Sequence, residues 1–270
     1  MKVILSRKGF DSESGRYPSP ILPDGRMYSF PIPSSDDKIR YDRLSIEPNL
    51  TYDWLMKELI GKGCESKTCH LDPDIYKHIY PRKVGWKGAF GQIGTAQRHL
   101  ENQGVGIGDL FLFFGTFRRT MKNGAYRYTA ELDKHVIFGY LQVGEIVHDE
   151  SGFPWLAEHP HVLDKDRVND ATNAIYIARN KLSWCDKPGF GAFRFNDSLV
   201  LTKPDQQNHK KSRWQLPHEF RNLNISYHTT NSWKEDYFQS VGRGQEFVIQ
   251  EDRALTKWVQ KLFRNSELMA

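Results

Sequence analysis

Residues 109–117 read DLFLFFGTF and residues 135–147 read HVIFGYLQVGEIV. In the first run Leu110 to Phe114 follow one another without a polar break, the pattern of a strand buried on both faces. Between the two runs, residues 126–132 form a third strand-like stretch, entered through the Asn123-Gly124 turn and left by a brief acidic linker. Three consecutive strands predict an antiparallel meander, which makes residues 105–150 the candidate barrel-strand core.

Outward from that core the punctuation changes. Residues 2–6 read as an apolar opening strand that runs directly into Arg7, Lys8, Gly9, Phe10 and Asp11. Residues 12–33 carry five prolines and an Asp24-Gly25 turn, so they form an irregular loop or paired edge segments. Apolar residues at helical spacing predict short helices over 51–60, stopped by Gly61, and over 92–103, stopped by Gly104. Later strands are expected at 174–179, 198–201 and 246–250, with a closing amphipathic helix over 254–263. Strands that follow one another, with helices inserted rather than alternating, predict an α+β fold. Its core is a curled, mainly antiparallel sheet or small barrel with long loops, in one elaborated domain over residues 1–270.

With 39% hydrophobic and 26% charged residues, the composition excludes a membrane-embedded chain and a mostly disordered one. The net charge of +5 permits a polyanionic partner without requiring it, and 13% aromatic residues suit thick cores and base-stacking surfaces alike. The start MKVILSRKGF lacks the apolar run of a secretory signal, and three cysteines cannot all pair, so a cytoplasmic location is expected. No G-x-G-x-x-G follows a strand, and neither a phosphate-loop GK[ST] nor a G-x-S-x-G elbow is present. Cys64, Cys69, His70 and His78 cluster without the second knuckle of a zinc site, so no metal is expected, and no organic cofactor either.

Three constellations carry chemistry. At the exit of the opening strand, two cations, a ring and the Asp11 carboxylate leave a sheet together. In His70-Leu71-Asp72-Pro73-Asp74 an imidazole and two carboxylates share five residues, the kind of pairing that general acid–base work uses, although the same letters also make a local turn. The third is basic: Arg118, Arg119, Lys122 and Arg127 flank the aromatic strand, and Lys210, Lys211 and Arg213 form a second patch, both suited to phosphates. Gln92, Gln97 and His99, with Trp86 just before them, carry the groups that read the edge and face of an extruded base.

The segments MKVILSRKGFD, PSPILPDG, HLDP, FGQIGTAQRHLENQGVGIGDLFLFFGTFR and W-x-L-P (Trp214 to Pro217) together resemble the bacterial and phage family called nucleotide modification associated domain, type three. The resemblance spans most of the chain and implies a setting of DNA base modification and phage conflict. Its motif positions fall on Arg7, Lys8, Gly9, Phe10, Asp11, His70, Asp72, Gln92, Gln97, His99 and Arg118. A weaker resemblance, of residues 108–111 and 135–147, is to the barrel strands of EVE- and PUA-like domains, which grip modified bases.

From these readings comes the expectation of a DNA glycosylase that excises a flipped hypermodified base. Asp11, or Asp72 in its place, would steady an oxocarbenium-like sugar while Arg7, Lys8 or His70 polarises the departing base. Phe10 and Trp86 would stack the base, and the two basic patches would hold the DNA. A non-catalytic reader of modified bases and a base-hypermodification enzyme are the alternatives.

Overall fold

The computed structural model describes residues 1–11, 13–61, 66–205, 207–242 and 244–269. Among these, nine strands form one sheet: β1 (Val3–Arg7), β2 (Ser19–Ile21), β3 (Ala89–Gln92), β4 (Leu110–Asn123), β5 (Ala125–Tyr128), β6 (Lys134–Val147), β7 (Ala174–Ala178), β8 (Phe190–Ala192) and β9 (Glu246–Ile249). The main path runs β9-β1-β4-β6-β7-β3, with β2 and β5 on β4 and β8 on β6. Pairing is antiparallel except at β1/β4 and β2/β4. Five α-helices are described: α1 (Tyr52–Ile60), α2 (Gly94–Asn102), α3 (Pro160–Leu163), α4 (Lys165–Asn169) and α5 (Arg253–Asn265).

The fold is α+β with a large, mostly antiparallel sheet, but its backbone ladder does not close among the described residues, so the expected PUA- or EVE-like barrel is not formed. The sheet curls instead. Two register irregularities in β6, between Ile137 and Gly139 and between Val143 and Glu145, bend that long strand. At the second, a Cβ on Gly144 would lie 2.9 Å from the Arg179 backbone, which leaves room for glycine alone. The curl brings the two ends of the path within side-chain reach: Gln92 of β3 donates from Nε2 to Glu246 Oε1 of β9 at 2.9 Å. A side-chain bond spans the seam that the ladder leaves open.

The meander is also corrected. β5 is a four-residue flap on the tip of β4, at Thr120–Asn123, and β6 returns directly against Leu110–Phe117. Residues 198 and 199 belong to a 3-10 turn (Asp197–Leu199), and Val200 makes an isolated bridge to Val136, so the strand expected over 198–201 is not formed. The segment expected to begin a helix at Gln92 is strand up to Gln92, with α2 starting at Gly94. The helix at 51–60 forms as read, its Thr51 hydroxyl accepting from Trp54 N and Gly61 closing it at φ 77°.

Both faces of β4 are buried, as its unbroken apolar run predicts. On one face Phe111 and Phe113 meet Phe90 of β3 at 5.0 and 5.5 Å, and Tyr176 of β7 packs on Phe90 and Phe111. β3 and β4 are three places apart in the path, so these rings fill the hollow of the curl. On the other face Phe114 packs edge-on against Trp214 and beside Phe247. The ring cluster packs the inside of the curl. Phe113→Ala should lower unfolding stability by about 3–5 kcal/mol in a urea titration, and a loss below about 1 kcal/mol would show that the hollow repacks around the missing ring.

Candidate functional site

β1 sits second from one end of the path, between β9 and β4, and ends where β9 begins, so its C-terminal exit is held at the rim of the curl. A cleft of about 760 Å³ opens there. Its walls collect residues that are distant in sequence: Arg7, Lys8, Phe10 and Asp11 from the exit of β1, His70 and Asp72, Gln92 at the end of β3, and Lys210 and Lys211. Thr116, His135, His161 and Arg167 complete the part of the wall that bears on chemistry. A larger hollow, about 1150 Å³, lined by Leu132, Lys134, Val200, Pro204 and His209, contains none of the candidate catalytic or base-contacting residues.

The cations at the exit of β1 are structurally committed. Arg7 donates to the carbonyls of Gly242 and Val241 at 2.8 and 2.9 Å, and its guanidinium lies over Phe114 and Phe247. Burial lowers its pKa while Asp11 pulls the other way. Lys8 Nζ bonds Glu246 Oε1 at 2.9 Å and sits 4.3 Å from the Phe90 ring centre, with both ends of the ion pair nearly out of solvent. Asp11 Oδ1 accepts the backbone N–H groups of Glu13 and Ser14, and Oδ2 has no donor among the described residues. Phe10 is 2% exposed and packs on Phe30 at 5.4 Å.

The floor is built from imidazoles around Asp72. His70 stands on the short strand Cys69–His70, paired with Ile32–Pro33. Its Nδ1 donates to Asp37 Oδ2 at 3.0 Å, and Arg167 of α4 grips the same carboxylate from both Nη atoms. Burial alone would raise the Asp37 carboxyl, but the bonds from His70 and Arg167 outweigh it and hold it well below the ordinary range. Asp72 Oδ1 accepts from Gly91 N at 2.9 Å and lies 3.5 Å from His159 Nε2, while Oδ2 is 3.8 Å from His70 Nε2. Burial also works against the Asp72 charge, yet His159, His161 and His70 prevail and keep its pKa at about 2. Gly91 is required beneath the His161 ring, because a Cβ there would approach the ring to 2.2 Å.

His135 belongs to the same wall and is kept neutral: burial, with Arg7 and Lys211 nearby, pushes its pKa down to about 3. Trp214 Nε1 donates to His135 Nδ1 at 3.0 Å, so the imidazole proton resides on Nε2. Burial likewise lowers His161 to about 4 against the pull of Asp72.

Several residues singled out in the sequence do not line the cleft. Trp86 meets Phe190 at right angles, donates to Asp74 Oδ2 at 3.2 Å and lies under Arg82. Gln97 is buried on the inner face of α2, where its Oε1 accepts from the Tyr176 hydroxyl and its Nε2 bonds Glu101. His99 bonds Ser226 Oγ and stacks on Tyr227. On the β4–β5 hairpin, Arg118 pairs with Asp133 and Arg119 with Glu131, whereas Lys122 lies over Tyr126 and Arg127 is exposed. Arg213 lies over Tyr237 and bonds the Asn208 carbonyl. Of the basic patches, Lys210 and Lys211 reach the cleft, with Lys211 Nζ 3.2 Å from Thr116 Oγ1. Cys64 lies outside the described residues, Cys69 is buried, Cys185 is exposed, and His78 Nε2 lies 3.1 Å from the Tyr28 hydroxyl.

Asp37, His135, His159, His161, Arg167 and Glu246 were not signalled by the sequence. Each is an isolated polar letter whose partner is far along the chain, and the signal nearest to a clue was the pair His159 and His161 two residues apart.

Removing the Lys8 charge leaves Glu246 buried without its counter-ion. Lys8→Met should therefore destabilise the chain by about 3–5 kcal/mol, and a variant as stable as the parent in thermal unfolding would show that the pair does not hold the seam.

No curated protein and no solved structure matches the chain. No helix among the described residues is long and apolar enough to cross a membrane. The motif words that line this cleft fall within residues 2–250, the stretch that matches the family model for nucleotide modification associated domain 3. Because that match takes in nearly the whole sequence, the chain belongs to the nucleotide modification associated domain 3 family, whose setting is the modification of nucleotides.

Proposed function

We propose that the chain is an enzyme that takes one nucleotide of DNA, carrying a modified base, into the cleft at the exit of β1 and cleaves its N-glycosidic bond. The observation that carries this reading is the convergence of Arg7, Phe10, Asp11, His70, Asp72, Gln92, Lys210 and Lys211 on one cleft of about 760 Å³, a volume suited to a small organic ligand. A duplex hides its base atoms, so chemistry on a base calls for an enclosed hollow into which one nucleotide is swung.

The roles follow from how each group is tied down. Lys210, exposed, and Lys211 at the cleft wall are placed to meet phosphates. Phe10, buried against Phe30, backs the wall rather than stacking the base as its place in the sequence led one to expect. Asp11 is anchored through one oxygen by two backbone N–H groups, and its second oxygen is available to face positive charge developing on the sugar. Asp72, in contrast, is bound up with three histidines on the floor, which moves it from substitute for Asp11 to a separate task. His135, neutral with its proton on Nε2, supplies a hydrogen-bond donor for the departing base.

Lys8 and Gln92, both bonded to Glu246, support the wall rather than contact substrate. The reader alternative predicts the same cleft without turnover. The base-hypermodification alternative predicts a change of base mass without release.

The decisive measurement incubates purified chain with canonical DNA and with phage DNA carrying hydroxymethylated or glucosylated pyrimidines, then assays free base and alkali-labile sites. Release from modified DNA is expected. Asp11→Asn should reduce it by about 10²-fold or more while DNA affinity is retained. Retention of modified DNA with intact glycosidic bonds would replace the enzyme by a reader. Independently, the double variant Lys210→Ala/Lys211→Ala should weaken binding to all DNA sequences alike. The slope of log affinity against log salt should become shallower by about 1–2; an unchanged slope would place the phosphates elsewhere.

A further inference from the structure

Three atoms able to ligate a metal face one another on the floor of the cleft. His161 Nδ1 lies 2.8 Å from Asn173 Oδ1. Asn173 uses its Nδ2 to donate to the carbonyls of His148 and His161, so its Oδ1 is the acceptor and His161 Nδ1 carries the hydrogen. His161 Nε2 therefore presents a bare lone pair. His70 donates from Nδ1 to the Asp37 carboxylate at 3.0 Å, so in the neutral ring its Nε2 is an acceptor too. The third atom is a carboxylate oxygen of Asp72. One such atom from each of His70, Asp72 and His161 lies within 4.8 Å of the others. Among the described residues nothing donates a hydrogen bond to Asp72 Oδ2.

Acceptors pointed at one another repel unless a proton or a metal cation sits among them, and a metal cation can engage all three at once. Two imidazoles and one carboxylate, open on one side to solvent and substrate, are the ligand set of mononuclear catalytic sites for zinc and ferrous iron. The surroundings match as well. Each histidine is oriented by a bond from its other nitrogen, one to a carboxylate and one to an amide oxygen, the outer-shell arrangement that fixes the tautomer of a metal ligand. All three residues line the cleft, so the open coordination positions face it.

We propose that His70 Nε2, His161 Nε2 and a carboxylate oxygen of Asp72 bind one divalent first-row transition metal ion, of the zinc or ferrous type, on the floor of the cleft. This goes against the expectation of a metal-free site drawn from the sequence, where His70 was grouped with cysteines. The ion uses other residues than the Cys64, Cys69 and His78 set. The proposal stands on ligand atoms and does not depend on the glycosylase reading, and Asp11 takes no part in it. With the ion in place, water or a substrate oxygen bound at the open positions would be polarised beside whatever nucleotide enters the cleft.

The test uses the full chain, stripped with a chelator, checked for folding by circular dichroism, and titrated calorimetrically with Zn²⁺, Co²⁺ and, without oxygen, Fe²⁺. One equivalent should bind. His70→Ala and His161→Ala should each abolish stoichiometric binding, and Asp37→Asn should weaken it by about 10–100-fold by releasing the His70 ring. Should the alanine variants fail to fold, the visible spectrum of the Co²⁺ form of the parent chain reads the ligands directly. Bands of an imidazole and carboxylate site support the assignment, and a thiolate charge-transfer band overturns it. A folded, chelated chain that takes up none of the three ions overturns it too, as does an NMR spectrum in which His70 carries protons on both nitrogens in the presence of each ion. Because every readout is binding, loss of the metal site and loss of the proposed DNA chemistry are told apart.

Discussion

The carboxylate of Glu246 is where the curled sheet is fastened. Its Oε1 accepts from Lys8, at the exit of β1, and from Gln92, at the end of β3, so one oxygen joins the two ends of the strand path and the strand next to one of those ends. A charge with 1% of its surface exposed is costly to bury alone, and the ammonium at 2.9 Å makes the arrangement tolerable only while all three groups keep their places. Backbone hydrogen bonds would fix the seam by closing a barrel. Here a side-chain network does so and leaves the rim open for a cleft. The position of Arg7, Phe10 and Asp11 at that rim follows from the same fastening, because they flank Lys8 where the chain leaves β1.

The electrostatics of the cleft divide along this line. Arg7 is bound through both Nη atoms to two carbonyls, Lys8 to Glu246 and Arg167 to Asp37, so these cations act inside the protein to hold walls and orient an imidazole. Long-range attraction for a polyanion then falls on Lys210 and Lys211, which lie on a different segment. A charge already hydrogen-bonded within the fold changes partners at a cost in desolvation and reorganisation, whereas an exposed lysine meets a phosphate by releasing counterions. The hairpin cations Arg118 and Arg119, paired with acids, are likewise less suited to gripping DNA than their spacing implied.

What could be read in the letters was what is local. The unbroken run Leu110 to Phe114 gave away a strand covered on both faces, and the capped run from Thr51 to Gly61 gave away a helix. The exit of β1 and the His70-Asp72 pair were visible because their chemistry is concentrated within five residues. The parallel pairing of β1 with β4 was not, since the partners are more than 100 residues apart and no periodicity encodes direction. The same reason hides the acceptors and donors that decide roles. Gln97 looks like a base-reading amide until Tyr176 arrives from β7, and Trp86 looks like a stacking ring until Asp74 takes its N–H and Arg82 covers its face. A family resemblance supplies positions without telling which of them meet.

His161 is the sharpest case, because its tautomer is settled by an asparagine whose own orientation is settled by two carbonyls. None of those four groups carries meaning in sequence, yet together they decide that a lone pair, not a proton, points at Asp72. Gly91 N–H and His159 already serve one oxygen of that carboxylate, and a floor held by hydrogen bonds alone would be served by a ring donor on the other. Instead the Asn173 amide and the Asp37 carboxylate hold both imidazoles the other way, and Gly91 gives up a side chain so that one ring can lie close above its backbone. In the proposed metal site these three features share one physical explanation, a cation among the acceptors.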